Sequence, residues 1–184
     1  MDRTPSFVYR FYKELTPSLA QEEGHLLERD FRRTEEFWDQ FCSQPSGYLV
    51  AFREERVIGR VRLYQRPITF QRVDVLLGGI GFVGTVPAYR RQGVATALLR
   101  MGMEQMASEN CEVVFLMTDL TKEHLVRMYA QFGFVQLRRN YVCRGKSGRL
   151  YVRDNGMIAP LTSPEKSHLI LTGTDVLDLG GFNW

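Results

Sequence analysis

The chain has 184 residues, a length typical of one compact domain, so we expect residues 1–184 to form a single domain. Its 24 Lys and Arg residues nearly balance 21 Asp and Glu residues, and this charge excludes nucleic-acid binding through bulk electrostatics. No stretch approaches the roughly 18 apolar residues that a membrane-spanning helix needs, and the first residues lack the apolar segment of a secretion signal. We therefore expect a cytoplasmic protein with neither a nucleic-acid nor a membrane partner.

The cysteines predict reduced thiols and neither a disulfide nor a metal site. Cys42, Cys111 and Cys143 are odd in number and widely spaced, and no C-x-x-C pair is present. The three histidines are scattered singly along the chain. We therefore expect buried or half-buried thiols and no bound metal.

The first third of the chain predicts two helices followed by a β-hairpin. Apolar residues recur at helical spacing over 17–44, with Gly24 and the Arg33-Thr34 pair as expected breaks. Residues 48–52 and 57–64 are rich in apolar and β-branched side chains, and a short polar turn separates them.

The middle of the chain predicts a central strand and a long helix. Residues 73–86, VDVLLGGIGFVGTV, form an apolar run with four glycines, which is typical of a strand with a bulge or a close approach by a ligand or another chain segment. Pro87 ends this strand. From Gly93 to Glu109 the apolar residues form one stripe of an amphipathic helix, which Asn110 can close in the left-handed conformation.

The remaining elements complete a mixed α/β pattern. CEVVFLMTD predicts a buried strand and KEHLVRMYAQFGF a shorter helix that Gly133 ends. The order strand, helix, strand, helix indicates a partly parallel sheet with helices on its faces. Beyond Val135, QLRRNYVCR, RLYVR and SHLILTG predict short strands, and residues 156–184 are the least defined part of the architecture.

Two overlapping patterns in residues 78–99 could each hold a phosphate. Gly79, Gly81 and Gly84 spell G-x-G-x-x-G, but a dinucleotide site needs these glycines at a strand-to-helix turn, and here they lie inside the predicted strand. The R-x-x-G-x-A pattern at 90–95 lies between the strand end and the long helix. Its small residues let backbone N–H groups and the helix dipole meet an anion, although an ordinary surface turn with solvated arginines remains an alternative.

VGTVPAYRRQGVATALL resembles the pyrophosphate-binding motif Q/R-x-x-G-x-G/A of the GCN5-related N-acetyltransferase (GNAT) superfamily. MYAQFGF is similar to the family's Tyr-x-x-x-Gly-Phe, matched by Tyr129, Gly133 and Phe134. With the hairpin, the resemblance covers about residues 48–135. It implies an α+β (mixed α/β) fold in which helices flank a central, mostly antiparallel sheet whose neighbouring parallel strands splay apart.

The resemblance also implies a site for acetyl-CoA as co-substrate. Tyr129 matches the family's general-acid position, and a tyrosine that only packs or contacts the CoA sulfur is the alternative. Lys122 stands where many members carry an asparagine that contacts pantetheine. The residues expected to bind acetyl-CoA are Val83, Gly84, Thr85, Arg90, Arg91, Gln92, Gly93, Val94, Ala95 and Thr96.

The implied reaction is transfer of an acetyl group to a primary amine of a small molecule by direct attack on the thioester. The base is open between Asp119, the C-terminal carboxylate of Trp184 and water, and Asp119 fits a helix N-cap or turn residue better. The exposed sheet ends of this family support a homodimer. Other readings are a CoA-binding module without turnover, a longer acyl donor, or a peptide acceptor.

An aminoglycoside-like acceptor is a further alternative. The tail DVLDLGGFNW is similar to the C-terminal end of aminoglycoside 2'-N-acetyltransferases. In that reading Asp175 and Asp178 would attract a polycationic amine.

Overall fold

The computed structural model describes residues 7–30, 34–181 and 183–184. The helices in these ranges are α1 (Pro17–Asp30), α2 (Glu35–Gln40), α3 (Val94–Ser108), α4 (Glu123–Ala130), α5 (Pro164–Thr172) and a 3-10 turn at Pro87–Tyr89. The strands are β1 (Val8–Tyr12), β2 (Gly47–Arg53), β3 (Arg56–Phe70), β4 (Val73–Thr85), β5 (Val113–Met117), β6 (Val135–Gln136), β7 (Tyr141–Arg144), β8 (Leu150–Arg153), β9 (Gly156–Pro160) and β10 (Leu177–Asp178).

The strands form a large mixed sheet and a small one. The large sheet has the order β1-β2-β3-β4-β5-β9-β6. Its β4–β5 pair is parallel, and the other strand pairs of this sheet in the described ranges are antiparallel. The small sheet has the order β10-β7-β8. One apolar core lies between the large sheet and α3 with α4, and the other joins the opposite face to α5 and the small sheet. The predicted mixed, mostly antiparallel sheet with flanking helices is confirmed.

Within the described part of the chain, no helix combines the length and apolar composition needed to span a membrane. Cys111 and Cys143 are buried, Cys42 is half-buried, and all three are free thiols. The cellular compartment stays a prediction.

The predicted hairpin is confirmed and its second strand is longer than expected. Glu54 and Glu55 form the turn with φ values of 49° and 66°. β3 then continues to Phe70, where Gln71 and Arg72, again with positive φ, turn the chain into β4. Both two-residue turns match the right-handed twist of the strands that they join.

One predicted helix break is wrong and the other is confirmed in part. α1 runs through Gly24 without interruption, because a helix interior tolerates a glycine at a cost of about 1 kcal/mol. Thr34 does begin a new helix, since its Oγ1 accepts a hydrogen bond from Phe37 N at 3.0 Å. Arg33, the other predicted break residue, lies outside the described residues.

The strand predicted at SHLILTG is wrong, because residues 164–172 form helix α5. Ser163 caps this helix by accepting a hydrogen bond from Lys166 N at 3.3 Å, and Pro164 occupies the first helical turn. These two residues are a helix-start signal that outweighs the β-branched composition of the segment. β1, β9 and β10 were not predicted.

The predicted bulge lies near the end of β4. Pairing with β3 shifts so that Phe82 and Val83 both lie opposite Val61, between the paired positions Gly81 and Gly84. Phe82 has a φ of 52°, which is uncommon for an aromatic residue. The extra residue bends the strand and leaves its main-chain groups unpaired with β3.

The β4 glycines make room for bulky neighbours. A Cβ at Gly79 would lie 2.2 Å from Cε2 of Trp184, and one at Gly81 would lie 2.9 Å from the Trp184 carbonyl carbon. A Cβ at Gly78 would lie 2.8 Å from the Met106 sulfur. At these three positions, packing against another part of the chain explains the glycine.

Gly79→Ala is expected to lower the free energy of unfolding by about 1–3 kcal/mol, because the methyl group forces the Trp184 ring out of its packed position. Gly24→Ala is the matched control. A Cβ there meets nothing within 4 Å inside α1, so alanine should stabilise the fold by about 0.5–1 kcal/mol. Urea unfolding of both variants measures the difference, and equal stabilities would contradict the packing role.

Candidate functional site

The two parallel strands of the large sheet separate at one end. β4 and β5 pair only from Leu77–Val113 to Ile80–Leu116. β4 continues to Thr85, and no strand among the described residues pairs with its β5-side edge beyond Ile80. The separation opens a cleft of about 1350 Å³ between the ends of the two strands.

The cleft brings together nearly all the residues that the sequence analysis selected. Tyr129 lies on it. Gln92 does not, because its exposed side chain donates from Nε2 to the Ala88 carbonyl at 3.0 Å. The predicted acetyl-CoA residues that line the cleft are Val83, Gly84, Thr85, Arg90, Arg91, Gly93, Val94, Ala95 and Thr96.

The turn before α3 is built to meet an anion. Gly93 caps the helix in the left-handed conformation with a φ of 81°, and no side chain occupies the cap position. The N–H groups of the first helical turn therefore keep their hydrogen-bonding capacity. Arg90 Nε donates to the Thr85 carbonyl at 3.0 Å, which ties this turn to the end of β4.

Thr85 offers a buried polar atom to the cleft. The residue is 9% exposed, and among the described residues its Oγ1 has no hydrogen-bond partner. A buried hydroxyl without a partner is costly, and a polar ligand in the cleft would supply one. This orphaned hydroxyl fits the amide-bearing arm of a CoA thioester.

Tyr129 presents a neutral phenol to the same cleft. Its side chain is 6% exposed and packs edge to face against Phe134, with ring centroids 5.9 Å apart. Burial raises the pKa of Tyr129 to about 12, so the hydroxyl keeps its proton at neutral pH. No other residue in the described ranges hydrogen-bonds to this hydroxyl.

Asp119 is a turn residue, as the sequence analysis preferred. Its Oδ1 accepts hydrogen bonds from the Thr121 N–H at 3.1 Å and the Thr121 hydroxyl at 2.6 Å. These bonds hold the pKa of Asp119 below its ordinary value. Lys122, at the start of α4, adds an ion pair to the same carboxylate at 3.4 Å.

Three phenylalanines form what we call the aromatic wall at the other end of the cleft: Phe37, Phe41 and Phe82. Phe37 and Phe41 stack at 4.7 Å, and Phe41 meets Phe82 edge to face at 6.1 Å. Trp184 forms the adjoining floor and stacks on Tyr64 at 5.8 Å. The wall could not be predicted from the sequence, because the helical spacing of Phe37 and Phe41 looks like that of an ordinary buried face.

Polar groups border the cleft opposite the aromatic wall. Gln136, Asp154 and Asn155 line this edge. The buried hydroxyl of Tyr141 donates to Asn155 Oδ1 at 3.0 Å, which orients the amide group. Asp154 is exposed, and no ion pair engages it within the described part of the chain.

The expectation that Asp175 and Asp178 attract a polycationic acceptor stays a prediction. Neither residue lines the cleft. Asp178 is instead paired with Arg144 at 3.2 Å and accepts a hydrogen bond from Gly180 N at 2.7 Å.

α2, which carries Phe37 of the aromatic wall and is followed directly by Phe41, is anchored to the β7–β8 hairpin through Asp39. Ser147 donates to the Asp39 carboxylate from its N–H at 2.6 Å and from its hydroxyl at 2.8 Å, and the Tyr151 hydroxyl donates at 2.7 Å. The Tyr151 bond is the largest cause that lowers the pKa of Asp39, and the Ser147 N–H adds to it.

Asp39→Asn is expected to lower the melting temperature at pH 7. Because the folded-state pKa is depressed, the stabilisation is present above the unfolded pKa of about 3.9 and is lost as the pH falls through the folded value. The difference from the wild type should therefore shrink between pH 4 and pH 2. Thermal melts across this range test it, with Asp154→Asn as control, and a pH-independent difference would contradict the assignment.

Comparison with known proteins decides the family. The acetyltransferase (GNAT) domain profile matches residues 8–137. The chain belongs to the GNAT family. No group of three or more His, Cys, Asp or Glu side chains in the described ranges is placed to hold a metal ion. The absence of a metal stays a prediction.

GNAT relatives differ in the acceptor that their names state. Mycothiol acetyltransferase of Streptomyces scabiei is 27% identical over 128 residues, which cover 68% of this chain and 38% of that protein. N-alpha-acetyltransferase 30 of Schizosaccharomyces pombe is 30% identical over 97 residues, which cover 53% of this chain and 63% of that protein. The match thus spans less than two thirds of either relative.

Solved GNAT structures share the fold. A GNAT family N-acetyltransferase from Escherichia coli in complex with CoA aligns with a TM-score of 0.63 at 21% identity, over 97% of this chain and 92% of that one. The NatC complex bound to Gag peptide and CoA gives a TM-score of 0.63 at 19% identity, over 85% of this chain and 99% of that one.

Proposed function

We propose that the protein is an acetyl-CoA-dependent N-acetyltransferase that acetylates a primary amine of a small-molecule acceptor. The observation that carries this proposal is one cleft that joins a glycine-capped helix start, the unpaired edge of β4 and the Tyr129 hydroxyl. Family membership and the CoA-bound structures of the same fold support it.

In this proposal acetyl-CoA lies along the separated strands. The pyrophosphate meets the first-turn N–H groups of α3, with Arg90 and Arg91 nearby as compensating charge. The pantetheine arm pairs with the free edge of β4 from Val83 to Thr85, and Thr85 Oγ1 gains a partner. The acetyl group then lies between this edge and Tyr129.

The chemical step is direct attack by a neutral amine on the thioester carbonyl carbon. A C–N bond forms, the C–S bond breaks, and the electron pair of that bond leaves with the CoA sulfur. The main-chain N–H of Val83, in the bulge, stabilises the developing oxyanion. Tyr129 gives its proton to the thiolate. Asp119 is held in its turn as a weak base, so the proton that the amine loses goes to water or to the carboxylate of Trp184, which lines the cleft.

The acceptor end favours an amine next to an apolar group. The aromatic wall and the Trp184 floor provide apolar surface. Asp154, at the opposite border, provides one carboxylate that can attract a protonated amine before that amine loses its proton. Asp175 and Asp178 do not line the cleft, so they add no support for an aminoglycoside-like acceptor.

A peptide α-amine is the second candidate acceptor. The similarity to N-alpha-acetyltransferase 30 supports it. A peptide would present its N-terminal amine at the same point and its first side chain to the aromatic wall. A homodimer stays a prediction.

Two measurements test the proposed function. The first is a thermal-shift titration with acetyl-CoA, a longer acyl-CoA and NADH, in which binding raises stability by about 2.7 kcal/mol at one hundred times the dissociation constant. The second is thiol release from acetyl-CoA with a panel of aromatic and aliphatic amines, amino sugars and short peptides. Binding without thiol release across the panel would favour a non-catalytic CoA-binding module, and a response only to the longer acyl-CoA would replace the donor.

A further inference from the structure

A buried cluster of charges lies behind the β4 bulge, on the side away from α3. Glu23 of α1 and Arg60 of β3 are each 1% exposed. Arg62, two residues further along β3, binds the Glu23 carboxylate with two bonds, from Nε at 2.8 Å and from Nη2 at 2.5 Å. We call Glu23, Arg60 and Arg62 the buried triad.

Arg60 joins two parts of the backbone. Its Nε donates to the Phe82 carbonyl at 3.2 Å, and its Nη1 donates to the Glu23 carbonyl at 2.7 Å. Its Nε also lies 3.5 Å from Glu23 Oε1, so the guanidinium is charge-paired where it is buried. One rigid side chain thereby fixes the start of the bulge to helix α1.

Arg62 holds the side chain of the same bulge residue. Its guanidinium carbon lies 4.9 Å from the centre of the Phe82 ring, while the other members of the aromatic wall contact that ring from the cleft side. Phe82 is therefore fixed at its carbonyl and at its ring in an uncommon backbone conformation. A residue stays in such a conformation only when its surroundings enforce it.

Stability alone does not account for the triad. Removing buried charges from water is costly, and apolar side chains of similar volume often stabilise a fold equally well. The triad's contacts converge on Phe82, which directly precedes the edge of β4 that faces the thioester in the proposed complex. Local strain next to a ligand site is typical of a backbone held ready for function.

We propose that the buried triad positions the β4 bulge for acetyl transfer. Arg60 fixes the Phe82 carbonyl, and the Val83 N–H of the same peptide unit then points the opposite way, toward the thioester carbonyl. Arg60, Glu23 and Arg62 are positioning residues, since none of them contacts the substrates. This inference rests on the proposed function and gives the buried triad a role in its transfer step.

Arg60→Lys tests the proposal, because lysine keeps the charge but cannot reach both carbonyls with one rigid group. We expect kcat to fall by about 10- to 100-fold, with the KM for acetyl-CoA changed by less than about threefold, since the α3 turn still holds the pyrophosphate. Arg62→Lys provides a second variant if Arg60→Lys folds poorly. The Arg62 side chain is partly exposed, and a lysine there keeps the ion pair with Glu23, so we expect a smaller fall in kcat.

Arg139→Lys is the matched control. Arg139 also donates to two backbone carbonyls, those of Ile170 and Gly173, and lies 4.9 Å from the centre of the Phe70 ring, but none of these residues lines the cleft. It should lose stability without a change in kcat per folded molecule. If Arg60→Lys and Arg139→Lys lose activity only in proportion to their folded fraction, the positioning role is wrong.

An infrared measurement needs no acceptor and separates this inference from the proposed function. The carbonyl stretch of bound [1-¹³C]acetyl-CoA should lie at lower frequency than that of the free thioester in the wild type, because N–H groups polarise the carbonyl. In Arg60→Lys it should return toward the free value. An identical band in both proteins would overturn the positioning role, whereas a shifted wild-type band without thiol release in any amine assay would count against the proposed function alone.

Discussion

Gly93→Asp is expected to abolish the rise in melting temperature that acetyl-CoA produces. The substitution puts a carboxylate at the helix start that faces the pyrophosphate, and repulsion between unit charges 4 Å apart near a protein surface is about 4 kcal/mol. It also forces a residue with a side chain into a φ of 81°. Affinity for acetyl-CoA should fall by about 100-fold or more, as measured by calorimetry or by thermal shift.

Gly148→Asp separates charge at the site from strain in the backbone. Gly148 has a φ of 83° in the β7–β8 turn, and a Cβ there meets nothing within 4 Å, as at Gly93. The variant adds the same charge and the same strain away from the cleft, so it should lose some stability and bind acetyl-CoA normally. Equal loss of binding in both variants would show that the α3 turn is not the pyrophosphate site.

Tyr129→Phe is expected to lower kcat by about 100-fold, because the CoA thiolate must then leave without a proton from this side chain. The KM for acetyl-CoA should change little, since the ring still packs against Phe134. Steady-state thiol release with the best acceptor measures both. Tyr151→Phe is the control, because its hydroxyl binds Asp39 outside the cleft and its removal should affect stability rather than turnover.

The pH profile gives an independent check on the acid. Since burial raises the pKa of Tyr129 to about 12, the protonated form persists throughout the pH range in which the protein can be assayed. The wild type should therefore show no fall in kcat from loss of this proton below pH 10. Full activity of Tyr129→Phe would contradict the assignment. A fall in the kcat of the wild type above about pH 8 that is absent in Tyr129→Phe would contradict it as well.

The features that could be predicted from the sequence are those encoded by consecutive residues. The turn before α3 needs a strand end, a glycine and a helix start in succession, and residues 83–96 contain all three. The hairpin turn at Glu54 and Glu55 is local in the same way. The helix-start signal at Ser163 and Pro164 is equally local, although the apolar composition of the following segment is also typical of a strand.

The features that depend on contacts between distant segments could not be predicted. Phe37 and Phe41 become part of a cleft only because α2 packs against the bulge at Phe82. The glycines of β4 suggested a close approach, but nothing in their spacing identifies Trp184 as the neighbour. Arg60 and Arg62 did carry a signal, since two arginines on one face of an apolar strand require a buried partner, although the identity of Glu23 depends on the fold.

The packing of Trp184 against β4 also bears on the order of folding. The contacts that hold this tail in place span long stretches of chain, such as the bond from Arg66 Nη1 to the Leu179 carbonyl across 113 positions. Contacts of such long range form slowly, because a long loop must close before they stabilise anything. The α3 turn and Tyr129 come from one continuous region of the chain. During folding, the end of the cleft that is proposed to bind acetyl-CoA can therefore form first, and the Trp184 floor at the acceptor end can form afterwards.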